Sequence, residues 1–251
     1  MFKHQGKSRT FQHNLKIASI LSLVAGIVNV AGFLAIIQLT TNVTGHFAQF
    51  MFDVHNFEFW KGTVYLLYIF SFLWGAFISS FLIEIFKENK KLNVFVIPTM
   101  IEALILLSVA LVGDFIKVEY PDLIACVLLF AMGLQNAYVT KISNAIVRTT
   151  HLTGLFTDLG IEISHLFFPK THPHKAHIKA TIKMRIYIIA FFFIGGIAGN
   201  ILYSTFGLKL KTLAIAAIIL LVSLFYDDLL FRLIKTQERI KRIRKKALRS
   251  I

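Results

Sequence analysis

Two segments of the sequence repeat one polar pattern in apolar surroundings. Residues 39–47 read LTTNVTGHF and residues 148–156 read RTTHLTGLF, so they share Thr-Thr-x-(Val/Leu)-Thr-Gly-x-Phe, and each follows a long hydrophobic run. Threonine hydroxyls and asparagine amides can cap a helix start, and glycine permits a positive φ. The pattern therefore predicts two interrupted helices whose second pieces begin near Thr44 and Thr153.

A helix that begins inside a membrane can bind a small molecule. Its free N–H groups and the positive end of its dipole favour an anionic or strongly polar ligand. Irregular backbone at that depth is tolerated only where it is buried in protein or lines a wet cavity. We therefore expect a substrate site whose candidate residues are Asn29, Thr41, Thr44, Gly45, His46, Gln135, Asn136, Thr150, Thr153 and Gly154. The alternative is that both motifs are turns before an interfacial helix and that the duplication records ancestry.

Glu102 is the most unusual single residue, because it alone interrupts the uncharged run 94–112. An ionisable side chain near the middle of a span is costly and usually faces a bundle interior or a cavity. Glu102 and His46 are therefore the candidate coupling residues for proton movement. The alternative for Glu102 is a protonated carboxyl group that is hydrogen-bonded to a neighbouring helix.

The composition indicates an integral membrane protein. Of 251 residues, 56% are hydrophobic and only 16% are charged, which is too little polar surface for a soluble domain of this apolarity. Since about 20 helical residues cross a bilayer, the uncharged runs predict six spans at 17–39, 63–83, 94–112, 123–140, 186–208 and 212–226.

The repeat extends beyond the two polar motifs. Residues 74–79 (WGAFIS) align with 194–199 (IGGIAG), and Asn29 aligns with Asn136 after a slip of two residues. Three spans per half reverse the membrane orientation of the second half. The sequence thus predicts an all-α integral membrane fold of six transmembrane helices, arranged as a 3+3 inverted-topology repeat with a short half-helix after the first and fourth spans. Such repeats are typical of secondary transporters.

Lysine and arginine concentrate on alternate sides of the predicted spans, which places both termini in the cytoplasm. The terminal tail should also contact anionic lipid head groups. The predicted organisation is a basic cytoplasmic tail (1–15), a first three-span repeat (16–113), an external loop (114–122), a second three-span repeat (123–231) containing a His-rich basic cytoplasmic loop (164–185), and a basic amphipathic cytoplasmic tail (232–251).

Motifs for other function classes are missing from the sequence. There is no Walker loop, Gly-x-Ser-x-Gly or His-Glu-x-x-His, so we expect no enzyme. The single cysteine, Cys126, and a His-rich loop without carboxylate or cysteine partners predict no disulfide, metal site or cofactor. The expected partners are the bilayer, an unknown solute and a second copy of the chain, with no nucleic acid. Gly195-x-x-x-Gly199 predicts a close contact between helices, and the alternative is that these glycines pack against the second copy. The remaining alternatives are a non-transporting membrane module and, less favoured, an intramembrane enzyme.

The segments GIVNVAGFLAIIQLTTNVTGHF (26–47) and AMGLQNAYVTKISNAIVRTTHLTGLF (131–156) resemble the two signature segments of the YoaK family of six-span bacterial membrane proteins. The resemblance covers residues 16–231. It implies a bacterial inner-membrane protein with a transporter role and no established substrate. Where this family often has Asp, the chain has Asn29, and where it often has Asn, the chain has His46. These departures imply that proton coupling has moved to His46 or Glu102, or that it is absent.

Overall fold

The computed structural model describes residues 10–86, 94–143, 147–168 and 174–225, and within these ranges the chain is helical. The predicted C-terminal tail, 232–251, lies outside the described residues, as do residues 1–9 of the N-terminal tail. The helices are α1 (Phe11–Ile36), α2 (Val43–His55), α3 (Phe59–Phe86), α4 (Val96–Ile116), α5 (Pro121–Ile142), α6 (Leu152–His165), α7 (Lys175–Asn200) and α8 (212–225).

Five of these helices are long and apolar enough to cross a membrane: α1, α3, α4, α5, and α7 together with the π-helical turn that extends it to Thr205. Large apolar side chains cover their outer surfaces, as at Trp74, Leu111 and Phe193, which are each more than half exposed. Lipid rather than water is the natural environment for such a surface. The chain is therefore a multi-helix protein of membrane type.

Two helices begin at least six residues before the uncharged runs that predict them. α1 begins at Phe11, where the Thr10 side chain accepts a hydrogen bond from the N–H of His13 as a cap. α7 begins at Lys175, so the second half of the segment 164–185, predicted as a loop, is helical. The physical reason is that a run without charged residues marks only the apolar part of a membrane helix. Lysine and arginine are good helix formers, and they continue the helix beyond it.

α1 crosses α7 at unusually close range because two glycines face the partner backbone. A Cβ added at Gly26 would lie 2.1 Å from the carbonyl oxygen of Phe192, and one added at Gly195 would lie 2.1 Å from that of Leu23. A Cβ at Gly199 would also lie 3.1 Å from Cα of Ile27. Gly195 and Gly199 therefore pack against α1 within the chain, which confirms the close helix contact that the sequence predicts and not the alternative of a second copy.

α5 crosses α3 in the same way. A Cβ added at Gly75 would lie 2.0 Å from the carbonyl oxygen of Phe130, and one added at Gly133 would lie 2.1 Å from that of Phe72. Gly75 is the residue that the sequence alignment pairs with Gly195. The two crossings thus use equivalent glycines, so the first helix of each half packs against the long helix that follows the break in the other half.

Candidate functional site

The first break, residues 37–42, folds the chain back along the end of α1. Ile37 adopts a left-handed conformation (φ 57°) as the helix ends. Thr40 Oγ1 then donates to the carbonyl oxygen of Val28 at 3.2 Å, and Thr41 Oγ1 donates to Asn29 Oδ1 at 2.8 Å. Because these partners lie about two turns before the end of α1, the chain returns roughly 10 Å along the helix before α2 begins.

The start of α2 is capped by Asn42, whose side-chain oxygen accepts from the N–H of Gly45 at 3.2 Å. Gly45 and Gly154 both lie in the first turn of a helix and neither has a positive φ. The expectation that these glycines produce the break is therefore wrong, since Ile37 provides the reversal at the first break. Thr44 is exposed on the first turn of α2.

The second break follows α5 and makes the corresponding contacts. Thr150 Oγ1 donates to Asn136 Oδ1 at 2.8 Å, as Thr41 does to Asn29. The Gln135 side-chain amide donates to Thr149 Oγ1 at 3.2 Å and to the carbonyl oxygen of Leu21 on α1 at 2.9 Å. The predicted candidates thus come together in two groups, one at each break, and the Asn29–Asn136 correspondence holds in the contacts.

The first break is filled by a cluster of rings. His46 on α2 is buried, and its Nε2–H donates to the carbonyl oxygen of Leu39 at 2.8 Å. Its ring lies 6.0 Å from that of Tyr65 and 5.0 Å from that of Tyr68, both on α3. The Tyr68 hydroxyl donates in turn to Asp122 at the start of α5. Packed rings therefore take up the space beside this half-helix.

The second break opens instead onto a cavity of about 540 Å³ between α6 and α7. Both helices contribute charged and apolar side chains to it. The lining residues are Arg148, His151, Gly154, Leu155, Asp158, His177, Thr181, Met184, Arg185 and Ile188. Of the ten residues predicted as site candidates, the cavity includes Gly154 alone.

Arg185 joins the two walls of this cavity. Its Nε and Nη2 donate to the two carboxylate oxygens of Glu162 at 2.8 and 2.9 Å, and its Nη1 donates to Asp158 at 2.9 Å. Such a bidentate arginine–carboxylate pair fixes geometry as well as charge. Arg185 therefore holds α7 against α6 and already has two carboxylate partners.

The two residues before α6 that line the cavity, Arg148 and His151, have no such carboxylate partner among the described residues. Arg148 is exposed, and it makes no hydrogen bond or ion pair with another described residue. His151 occupies the cap position of α6, but its side chain makes no capping hydrogen bond. Burial lowers the pKa of His151 below its usual value, and the charge of Arg148 lowers it further. Both causes favour the uncharged form of the His151 imidazole.

The other candidates lie apart from the cavity. Glu102 is fully buried in α4, where its Oε2 accepts from the Tyr138 hydroxyl at 2.7 Å and its Oε1 has no hydrogen-bond partner within the described ranges. Thr153 is exposed on the first turn of α6. In the part of the chain that the structure describes, no three His, Cys, Asp or Glu side chains are grouped to hold a metal ion.

Sequence reasoning did not select Arg148, Asp158 or Arg185 as site residues. Two signals could have found them. Arg148 stands where the first copy of the motif has Leu39, so it is the charged member of a repeated pair. Asp158 and Glu162 are four residues apart, which places both carboxylates on one face of a helix.

A family model described as a protein of unknown function, DUF1275, matches residues 17–226. The match includes both breaks, the ring-filled first site and the open cavity. No curated protein and no solved structure matches the chain.

Proposed function

We propose that this chain, which belongs to the DUF1275 family of unknown function, is a secondary transporter of a small polar or anionic solute. The observation that carries the proposal is the polar cavity beside the second break, at the start of a half-helix. Half-helices that begin near mid-membrane form the substrate sites of many transporters, because their free N–H groups face the solute. Each break repeats the Asn–Thr contact, which supports a shared scaffold.

The proposed architecture is a six-span, 3+3 inverted-topology repeat. α1, α3 and α4 form the first set of spans, α5, α7 and α8 form the second, and α2 and α6 are the half-helices. The equivalent glycine crossings support this assignment. The distribution of basic residues supports the location of both termini in the cytoplasm. The resemblance to the YoaK family supports a bacterial inner membrane. We further assign the chain to the YoaK family, since the matched region contains both resembling segments.

In this orientation the two breaks lie on opposite sides of the membrane midplane. The cavity between α6 and α7 opens on the cytoplasmic side, while the rings of His46, Tyr65 and Tyr68 fill the external side. Alternating access requires one side to be closed while the other is open. The conformation described here therefore corresponds to an inward-open state.

The proposal also includes a residue that couples transport to protons and the binding partners of the chain. Glu102 is the preferred coupling residue, since one of its carboxylate oxygens is buried without a partner among the described residues. His46 is less suited, because its Nε2–H is held by the Leu39 carbonyl. We propose no catalytic activity and no cofactor. Anionic lipid head groups at the C-terminal tail and a homodimer on a surface other than Gly195 and Gly199 are the proposed partners.

Uptake by proteoliposomes tests the proposal with a matched pair of glycine variants. A Cβ at Gly154 meets nothing within 4 Å, and the same is true of Gly160, which lies on α6 outside the cavity. Gly154→Leu should therefore fill the cavity without disturbing the packing. Gly160→Leu should raise the helix propensity of α6 by the same amount and leave the cavity open. We expect saturable uptake of at least one small solute by the parent and Gly160→Leu, and at least a tenfold loss in Gly154→Leu.

The panel for this assay contains small carboxylates, amino acids, sugars and inorganic anions. Equal uptake by both glycine variants would show that the cavity is not on the transport path. No saturable uptake of any solute by the parent would favour a non-transporting membrane module. Chemical conversion of a solute without its crossing would favour an intramembrane enzyme.

A further inference from the structure

Glu102 places a carboxylate inside the packed helices, on α4. Its side chain is fully buried, and its Oε2 accepts from the Tyr138 hydroxyl at 2.7 Å. Its Oε1 is also buried and has no hydrogen-bond partner among the described residues. In the described ranges no lysine, arginine or histidine forms an ion pair with it. The charge of this carboxylate is therefore compensated only when it binds a proton or another cation.

Gln135 on α5 supplies a second oxygen of this kind. Its side chain is fully buried, and its amide nitrogen donates to the carbonyl oxygen of Leu21 at 2.9 Å and to Thr149 Oγ1 at 3.2 Å. These two bonds fix the amide group, whose Oε1 is buried without a hydrogen-bond partner among the described residues. A buried amide oxygen in this state costs free energy unless a donor or a cation reaches it. Gln135 therefore has an unused acceptor, as Glu102 does.

Helix geometry places these two side chains at the same level. α4 and α5 pack against each other across a connection of four residues, so they run antiparallel. Glu102 lies 14 residues before Ile116, where α4 ends, and Gln135 lies 14 residues after Pro121, where α5 begins. Tyr138 is one turn beyond Gln135, and its hydroxyl reaches back to Glu102 because helix side chains lean toward the N-terminus. The two unpartnered oxygens therefore belong to one level of the α4–α5 pair.

Charge and packing restrict which cation suits this position. Oxygen ligands are those that hard cations prefer. In the part of the chain that the structure describes, no three His, Cys, Asp or Glu side chains are grouped, so the single charge of Glu102 matches a monovalent cation rather than a divalent one. Leu21, Tyr138 and Thr149 are also fully buried, and such close packing favours a small ion. Na⁺ meets these conditions.

We propose that Glu102 Oε1 and Gln135 Oε1 bind one Na⁺ ion. Tyr138 holds the other carboxylate oxygen, while Leu21 and Thr149 position the amide. This assignment rests on the proposed transport function, since it concerns the same coupling residue, where Na⁺ and the coupling proton compete for one carboxylate. Because Thr149 belongs to the second break, the bound ion is connected through Gln135 to the backbone beside the cavity.

Thermal unfolding of the purified full chain in detergent tests this site, with NaCl, KCl and choline chloride compared at equal concentration. Because Na⁺ binds the native state, NaCl should raise the unfolding midpoint of the parent by roughly 2–4 °C more than the other two salts. Glu102→Gln removes the charge and keeps the shape, and Gln135→Leu removes the amide oxygen, so both should lose this shift. Glu84→Gln is the matched control, because Lys141 already lies 2.7 Å from that carboxylate, and it should keep the shift.

A second variant keeps the test informative if Glu102→Gln unfolds. Glu102→Asp retains the charge but shortens the side chain, so Na⁺ should shift its midpoint by less than it shifts that of the parent. Equal midpoints of the parent in the three salts, as expected of a carboxyl group that keeps its proton, would overturn the site. A full Na⁺ shift in Glu102→Gln or Gln135→Leu would also overturn it. Saturable solute uptake without a Na⁺ shift would leave transport standing without this site, and a Na⁺ shift without any uptake would contradict transport and leave the site standing.

Discussion

The two breaks of this chain have the same scaffold and different chemistry. In each, an asparagine on the preceding helix accepts a hydrogen bond from a threonine of the returning chain, at 2.8 Å in both cases. Leu39 of the first break corresponds to Arg148 of the second, and Tyr65 on α3 corresponds to Arg185 on α7. One break is therefore filled with rings, and the other is an open cavity with charged walls.

This difference teaches that the duplicated backbone does not fix the side chains beside each half-helix. The Asn–Thr bond and the glycine crossings set where each half-helix begins, and they do so in both halves. The side chains beside the half-helix then decide whether that position is closed or open. At the first break His46 donates to a main-chain carbonyl, whereas at the second Leu155 takes the corresponding position and lines the cavity.

The largest expected effect tests whether the halves share one scaffold. Gly133→Ala should lower the free energy of unfolding by about 3 kcal/mol, because its Cβ would lie 2.1 Å from the carbonyl oxygen of Phe72 and the helices must separate. Gly26→Ala should cost a similar amount at the other crossing, where the distance is also 2.1 Å. Denaturant titration in detergent measures both.

Gly160→Ala is the control for these glycines, since a Cβ there meets nothing within 4 Å. Alanine is the better helix former, so this variant should be stabilised by about 0.5–1 kcal/mol. A Gly133→Ala protein as stable as Gly160→Ala would contradict the close α3–α5 crossing. A large effect in only one of Gly26 and Gly133 would contradict the equivalence of the halves.

A smaller effect is expected at the two asparagines. Asn29→Ala and Asn136→Ala should each lower the free energy of unfolding by about 1 kcal/mol, the usual value of one hydrogen bond. Double-mutant cycles with Thr41→Val and Thr150→Val isolate the two pairs from other losses. Coupling energies of about 0.6 kcal/mol in both halves are expected for polar contacts in a membrane protein. Coupling in one half and none in the other would break the comparison.

The smallest effect concerns pH at the second break. The pKa of His151 is lowered by burial and by Arg148, so the imidazole gains its proton only as the pH falls below its usual value near 6.5. The unfolded chain then binds this proton more readily than the folded chain does, so the free energy of unfolding should fall slightly as the pH falls through this range. His151→Gln should remove this contribution, as measured by denaturant titration in detergent from about pH 7.5 down to about pH 5, a range that begins above the usual value and extends well below it.

Other titratable and charged groups also face His151, so control variants must separate its titration from theirs. Arg148, Asp158, His177 and Arg185 line the same cavity, and Glu162 holds Arg185. His177→Gln should leave the pH dependence in place if His151 is responsible. His46→Gln, at the first break, should also leave it in place. A pH dependence that survives in His151→Gln would assign it to another of these groups.

Local patterns in the sequence determined much of the fold. Uncharged apolar runs located the five helices that are long and apolar enough to cross a membrane, because a membrane-crossing helix needs an uninterrupted apolar stretch. The sixth span, 212–226, stays a prediction. The repeated threonine–glycine motif located α2 and α6 to within a few residues, and it paired Asn29 with Asn136. These features could be predicted because each is carried by residues close together in the chain. The helix starts at Phe11 and Lys175 could not, since charged residues continue a helix beyond its apolar part.

The candidate site itself was decided by tertiary structure. Asp158 and Glu162 reach Arg185 only because α6 packs against α7, and no local pattern specifies that packing. Likewise, Gly195 faces α1 rather than a second copy because the backbone contact with Leu23 fixes the rotation of α7. By itself the sequence therefore determined the helices and their duplication. Only the tertiary structure decided which break is filled and which is open, because that depends on side chains distant in the chain meeting in one volume.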